Sequence, residues 1–347
     1  MNSFRRGVLE KVPSDHDFLR TFGGLREFRG RETLFGQQTP QILETLRQAA
    51  IKQSAESSNR IEGVVAPAKR LQQIVLQKKA PRNRPEAEIA GYRDVLATIH
   101  ASHADIPFTP GIVLQFHRDL YRYTDVKGGR WKTVDNDIRE VHPNGREVIR
   151  FKPVSAFRTA GMMKDLHSQL EQEWKRGHVD NLILIPAYIL DFLCIHPFLD
   201  GNGRMSRLLT LMLLYRAGYG VGRYISLERI IEESRETYYE ALQASSARWH
   251  QGRHDIRPWV SYLLGTFLAA YREFEERAGT LMSSRGAKTR LAEAAIEHLP
   301  VTFRMTDLEQ MCPNVTRGMI RVVLRRMKSA GTLATEGAGR GAFWRKK

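Results

Sequence analysis

The sequence predicts a mostly α-helical protein with one β-hairpin and a small, separate C-terminal winged helix-turn-helix unit. Three observations predict it. Apolar residues recur at helical spacing along most of the chain, a single stretch reads as paired strands around an Asn-Gly dipeptide, and the residues after 288 run helix, helix, helix, strand, strand.

In chain order, Thr39 and Pro40 read as the cap and first turn of a helix that places Ile42, Leu46, Ala50 and Ile51 along one face. A basic, proline-bearing break from Lys78 to Pro85 ends this N-terminal helical region, 1–85. A second helical stretch, EAEIAGYRDVLATIHA, follows, and Thr109 with Pro110 starts another. Between Gly128 and Pro153 the pattern changes: Asn144-Gly145 sits between β-rich flanks and reads as a hairpin turn. Helices return from Val154 to Tyr219. The most apolar segment, LILIPAYILDFLCIHPFL, is broken by Pro186, Asp191 and His196, so it predicts a buried helix and no bilayer span. Further helices to about Met282 complete a central unit, 86–282. Ser283 to Lys288 has linker composition, and 289–347 forms the tail unit.

The chain has 347 residues, a formal charge of +16 and an isoelectric point near 10.0, which fits either a polyanionic partner (a nucleotide, a nucleic acid or an acidic protein surface) or a generally basic surface. Only Cys194 and Cys312 occur, without metal-knuckle spacing, so neither a disulfide framework nor a zinc ribbon is expected and a reducing cytoplasm fits. The first residues carry positive charge without an apolar run, so no secretion signal is expected.

Chemistry concentrates in HPFLDGNGRMSR, beginning at His196. Gly201 and Gly203 allow successive backbone N–H groups to converge on an anion at the start of the next helix. Asn202 adds side-chain hydrogen bonds, while Arg204 and Arg207 are expected to share a helix face and grip phosphate oxygens. Asp200 is a hard oxygen ligand suited to Mg²⁺, and His196 has the pKa range of a general base. Together they predict phosphoryl-type transfer from a nucleotide. No G-x-x-x-x-G-K-[ST] and no H-E-x-x-H is present.

This motif resembles the signature of Fic-domain proteins, H-P-F-x-[DE]-G-N-G-R-x-x-R, which it fills without a departure. The resemblance implies AMPylation: transfer of AMP from Mg²⁺-ATP to a Tyr, Thr or Ser hydroxyl of a target protein. It makes His196 the general base, Asp200 the metal ligand and Gly201 to Arg207 the phosphate site, with Phe198 anchoring the loop. GRWKTVDNDI is similar to the family's flap, with Trp131 and Lys132 where Phe and Arg are common. The resemblance implies that Asp135, Asn136, Asp137, Ile138 and Arg139 dock the target by strand pairing. Tyr238 resembles the tyrosine near the nucleotide base, and Ser246 stands where many relatives carry Asn.

SSNRIEG matches the family's inhibitory pattern, with Ser58, Glu62 and Gly63 in the marked positions. Glu62 is expected to compete with the ATP γ-phosphate for Arg207, leaving the α-phosphate misaligned. The same glutamate also suits an AMP-removing hydrolase. A DNA-binding regulator that uses the core as a nucleotide sensor is a further reading. For the tail, Arg317, Arg321, Arg325, Arg326 and Lys328 lie on the candidate recognition helix, with Arg340, Arg345, Lys346 and Lys347 beside the wing. These suit phosphate contacts on DNA, and winged helices also dock proteins. No membrane partner is expected; a homo-oligomer is compatible with the sequence.

Overall fold

The computed structural model describes residues 1–10, 12, 15–38, 40–141, 147–283, 286–312, 315–337 and 343–346. They form two compact units: Met1–Arg29 with Gln48–Tyr271, and Gly30–Arg47 with Arg272–Lys347. The residues grouped by sequence as 1–85 are thus shared between both units.

The first unit is built around two consecutive helices, Asn181–Ile195 and Asn202–Arg216, buried on nearly every side. A helix enclosed by protein on all faces has no polar stripe, which is why Asn181–Ile195 is apolar all round. Ala156–Arg176 and Arg84–Ser102 pack against this pair. The sequence marks the starts of these elements. Asn83 caps Arg84–Ser102 by accepting from the Glu86 N–H at 3.0 Å, Thr109 caps Pro110–Leu120, and Asp180 caps Asn181–Ile195. Thr39, expected to cap the helix Pro40–Ile61, lies outside the described residues.

Asp191, which interrupts the apolar segment, is fully buried but well supplied with donors. Its carboxylate accepts from the Ser3 N–H, from the Ser3 hydroxyl at 2.6 Å and from Trp249 Nε1 at 2.5 Å. Burial still pushes its carboxyl up to about 6. The Ser3 hydroxyl also meets His254 Nε2 at 2.9 Å, so this network ties the N-terminal segment to the central helix.

The hairpin pairs Ile138–Val141 antiparallel with Glu147–Phe151, with a register shift between Ile138 and Arg139. The Asn144-Gly145 turn lies outside the described residues.

In the second unit, the helices Ala287–His298, Met305–Met311 and Arg317–Ser329 pack around Ile296, Leu308, Ile320, Val323 and Leu324. Two expected strands are present, Leu333–Glu336 and Phe343–Lys346. A third, Thr302–Phe303, completes an antiparallel sheet in which Phe343–Lys346 is central. Two residues are too few to show alternation in a sequence. Arg340, Lys347 and part of the Ser283–Lys288 linker lie outside the described residues. Among the described residues, no helix is long and apolar enough to cross a membrane.

Candidate active site

The loop between the two central helices starts with an unusual backbone turn. His196 closes Asn181–Ile195 in the left-handed region, φ 51°, while its N–H still donates to the Phe192 carbonyl. Phe198 anchors the loop in the core, stacked on the His117 ring at 3.6 Å and near Trp131. Gly201, at φ 83°, then turns the chain into Asn202–Arg216. Asn202 spends its amide inside the loop, accepting from the Phe198 N–H at 2.9 Å and donating to the Phe198 carbonyl at 2.7 Å. These two bonds shape the turn.

Arg204 and Arg207, expected to work together, separate in space. Three residues fall about 60° short of a full helical turn, enough to face different neighbours. Arg204, 2% exposed, donates to Glu88 at 2.5 Å and to the Tyr121 hydroxyl at 2.8 Å. In this structure it is a buried cation held by Glu88 and Tyr121. Arg207 faces the cavity. Its guanidinium donates to the Ser58 hydroxyl and carbonyl, both at 2.8 Å, and to Glu62 Oε1 at 2.7 Å. Burial opposes the Arg207 charge, but Glu62, Tyr238 and Tyr92 outweigh it and hold the guanidinium above its ordinary value.

Glu62 reaches this position from the end of Pro40–Ile61. Gly63, at φ 79°, stops that helix, and the next N–H, on Val64, returns to the Asn59 carbonyl. The carboxylate lies so close over the loop that a Cβ on Gly203 would stand 2.2 Å from Glu62 Oε1. A carboxylate of the protein itself thus lies against the start of Asn202–Arg216.

Glu62, His196, Gly203 and Arg207 line a cavity of about 180 Å³, whose wall also includes Arg150, Ile138, Phe151, Tyr238, Leu242 and Ser246. Burial, with help from Lys132, holds the His196 imidazole down to about 4, against Glu62 and Asp200, so the ring is neutral near pH 7. Tyr238 faces the cavity and also packs edge-on against Trp259 and Tyr262. The Asp200 side chain, 60% exposed, stands at the lip. Burial acts to raise its carboxyl, but the Tyr121 hydroxyl, Arg204 and the Gly201 N–H hold it below the usual range. Among the described residues no three His, Cys, Asp or Glu groups gather to hold a metal. A lone exposed carboxylate still fits Mg²⁺, which commonly takes its other ligands from phosphates and water.

The expected docking residues divide. The Asp135 carboxylate accepts from the Ala156 N–H and caps that helix, and Asn136 donates to the Phe198 carbonyl. Asp137 is exposed, Ile138 faces the cavity, and Arg139 pairs with Glu147 across the hairpin at 2.9 Å. Sequence reasoning missed Glu88, His117, Tyr121 and Asn59. Glu88 is separated from Arg204 by 116 positions, and no local pattern links them.

Acid should loosen this unit. Burial holds His117, His167, His196 and His254 each down to about 4, so the fold prefers their neutral forms. Their stabilising contribution is complete above the unfolded value of about 6.5 and is lost as pH falls toward 4. Asp191, raised to about 6, acts in the opposite sense between 6 and 3.8 but is a single group. Calorimetry is expected to show Tm falling steeply from pH 6.5 to 4; a flat Tm there contradicts this account.

Residues 107–214 match the Fic/DOC family. Over 179 residues, 51% of the chain, it is 30% identical to proteins named protein adenylyltransferase Fic from Drosophila willistoni and Drosophila melanogaster. The alignment covers 31% and 32% of those proteins, so the chain spans about a third of the length of the curated relatives it matches. Its fold resembles a Fic family protein from Desulfovibrio desulfuricans G20, with TM-score 0.63, 21% identity, and coverage of 96% of this chain and 97% of that one. It also resembles a Fic domain containing signaling protein from Bacteroides thetaiotaomicron, with TM-score 0.62, 20% identity, and coverage of 74% and 97%.

Proposed function

We propose that this Fic-domain chain is a protein adenylyltransferase held inactive by its own Glu62. One observation carries the reading: a neutral histidine and a glutamate-blocked arginine share one cavity beside the anion-binding turn. With Glu62 displaced, Arg207 and the backbone of the turn hold the triphosphate of ATP. Tyr238 and the apolar wall receive the base. His196 takes the proton from a Tyr, Thr or Ser hydroxyl as its oxygen attacks the α-phosphorus. Pyrophosphate leaves, and AMP stays on the target. Mg²⁺, held by Asp200 and the phosphates, would supply charge neutralisation. The hairpin edge offers strand pairing to the target segment.

The test is intact-mass spectrometry of wild type, Glu62→Gly and Glu62→Gly/His196→Ala after incubation with Mg²⁺-ATP, with and without candidate targets. An AMP-sized gain strongest in Glu62→Gly and absent in the double variant supports the proposal. A second reading rests on the same carboxylate: Glu62, beside His196 in the cavity, is placed to orient water and remove AMP from a modified target. Release of AMP from a pre-modified target by wild type, lost in Glu62→Gly, selects this hydrolase reading.

The tail has the element order of a winged helix-turn-helix, with exposed Arg321 and Arg325 on Arg317–Ser329. Arg317 pairs with Glu309, Arg326 with Glu293 and Arg345 with Glu336, which reduces the charge free for phosphates. DNA is the proposed partner. Full-length protein is expected to lose DNA affinity roughly tenfold or more between 50 and 200 mM salt. Deleting Thr289 to Lys347 should abolish that binding and spare AMP transfer. Unchanged DNA binding by the truncated chain rules the tail out as the DNA reader.

A further inference from the structure

The segment before the hairpin grips the His196 loop by its carbonyls. The Gly129 N–H donates to His117 Nδ1 at 2.9 Å, which leaves His117 Nε2 to donate to the Asp200 carbonyl at 3.1 Å. Three residues on, the Lys132 N–H donates to the Pro197 carbonyl at 2.8 Å. The Lys132 ammonium donates to the Ile195 carbonyl at 3.2 Å and to Asn136 Oδ1 at 2.8 Å. Asn136 then donates to the Phe198 carbonyl at 3.2 Å. Lys132 alone therefore holds the carbonyls on both sides of His196.

A cation is a costly way to make these bonds. Lys132 is only 4% exposed, and burial holds its ammonium down to about 8, against the field of Asp135. No carboxylate lies within ion-pair distance of it among the described residues. A neutral amide would satisfy the same carbonyls with less desolvation, so the charge calls for a reason of its own. The charges that act on His196 include Lys132 from the pre-hairpin segment, Glu62 from the end of Pro40–Ile61 and Asp200 from its own loop, and the guanidiniums of Arg207 and Arg150 line the same cavity. Both carboxylates favour a protonated ring, and Lys132 opposes them.

We propose that Lys132 is a positioning residue for His196, fixing the backbone that presents the imidazole and setting a positive charge next to it. It makes the ring a proton acceptor that stays available in a pocket shared with two carboxylates. When Asp200 and Glu62 both lie nearby, as in the inhibited form, the opposing charge matters most. The role rests on His196 being the base of the proposed transfer, yet its primary test does not require transfer.

That test is NMR titration of imidazole-labelled protein, with the His196 signal assigned by its loss in His196→Ala. Between pH 5 and 7 the wild-type ring is expected to stay neutral. In Lys132→Met its midpoint should rise by about one pH unit, and in Lys132→Arg remain near wild type. Lys132→Gln, which keeps a donor without the charge, serves the same comparison where the methionine variant does not fold. An unchanged His196 midpoint in a folded, uncharged variant overturns the proposal. In the Glu62→Gly background, the uncharged variants should lose about tenfold or more in kcat with KM for ATP unchanged, and Lys132→Arg should restore kcat. A loss in KM alone also overturns it. If Glu62→Gly transfers no AMP to any target, the transferase reading fails, while the titration still decides the role of Lys132.

Discussion

Glu62→Gly is expected to raise AMP transfer by about 10- to 100-fold, the range of a coupling free energy of about 1–3 kcal/mol between a blocking group and a ligand. Glu62 Oε1 sits 2.7 Å from Arg207, and its carboxylate lies where a Gly203 Cβ would collide with it. On the proposed reading, ATP displaces an anion already bonded to the Arg207 guanidinium. The Glu62 side chain is 32% exposed, so displacement costs less than breaking a sealed ion pair. Removing it leaves Arg207 with the Ser58 hydroxyl and carbonyl alone. Tm should fall by an amount equivalent to about 1–3 kcal/mol, and Mg²⁺-ATP should restore more of it in the variant than in wild type. Thermal shift measured with and without nucleotide checks this independently of any target. Equal ATP-induced shifts in both proteins would show that Glu62 and nucleotide do not compete.

His196→Ala, made in the Glu62→Gly background, should lower AMP transfer by about 10²- to 10⁴-fold while ATP affinity stays within about twofold. The imidazole lines the cavity, and the proposed phosphate contacts belong to Arg207 and the turn, so truncation is expected to remove proton acceptance and spare binding. Protonation inactivates a general base. With the ring held down to about 4, kcat should stay level from about pH 8 down to 5.5 and fail only as pH approaches 4. Steady-state kinetics across that range provides the measurement. A rate that drops through pH 6.5 would indicate an ordinary, solvated histidine and contradict the buried environment described here.

Contiguity decided what was legible. HPFLDGNGRMSR is a run of neighbours, so its turn glycines, its histidine and its helix start announce themselves together. The Thr109 cap is local as well, bonding to an N–H three residues away. The mostly helical class, the hairpin near residue 140 and the helix–strand order of the tail all follow from patterns a few residues long. The strand Thr302–Phe303 escaped because it is shorter than its own period.

By itself, then, the sequence determined the element types and the composition of the loop, and it singled out the residues proposed as base, anion cradle and brake. Only the tertiary structure decided which neighbour each of those side chains meets. Arg204 and Arg207 are equivalent arginines on paper. The first is consumed by Glu88 and Tyr121 from other helices, and the second is left for the cavity and for Glu62. Lys132 reads as a substitution within a flap motif, and becomes a buried cation under the His196 loop when that segment folds against it. The physical reason is the same in each case. Hydrogen bonding and helical periodicity act between residues close along the chain, whereas burial, ion pairing and the resulting shifts in protonation depend on groups that folding brings together from distant positions.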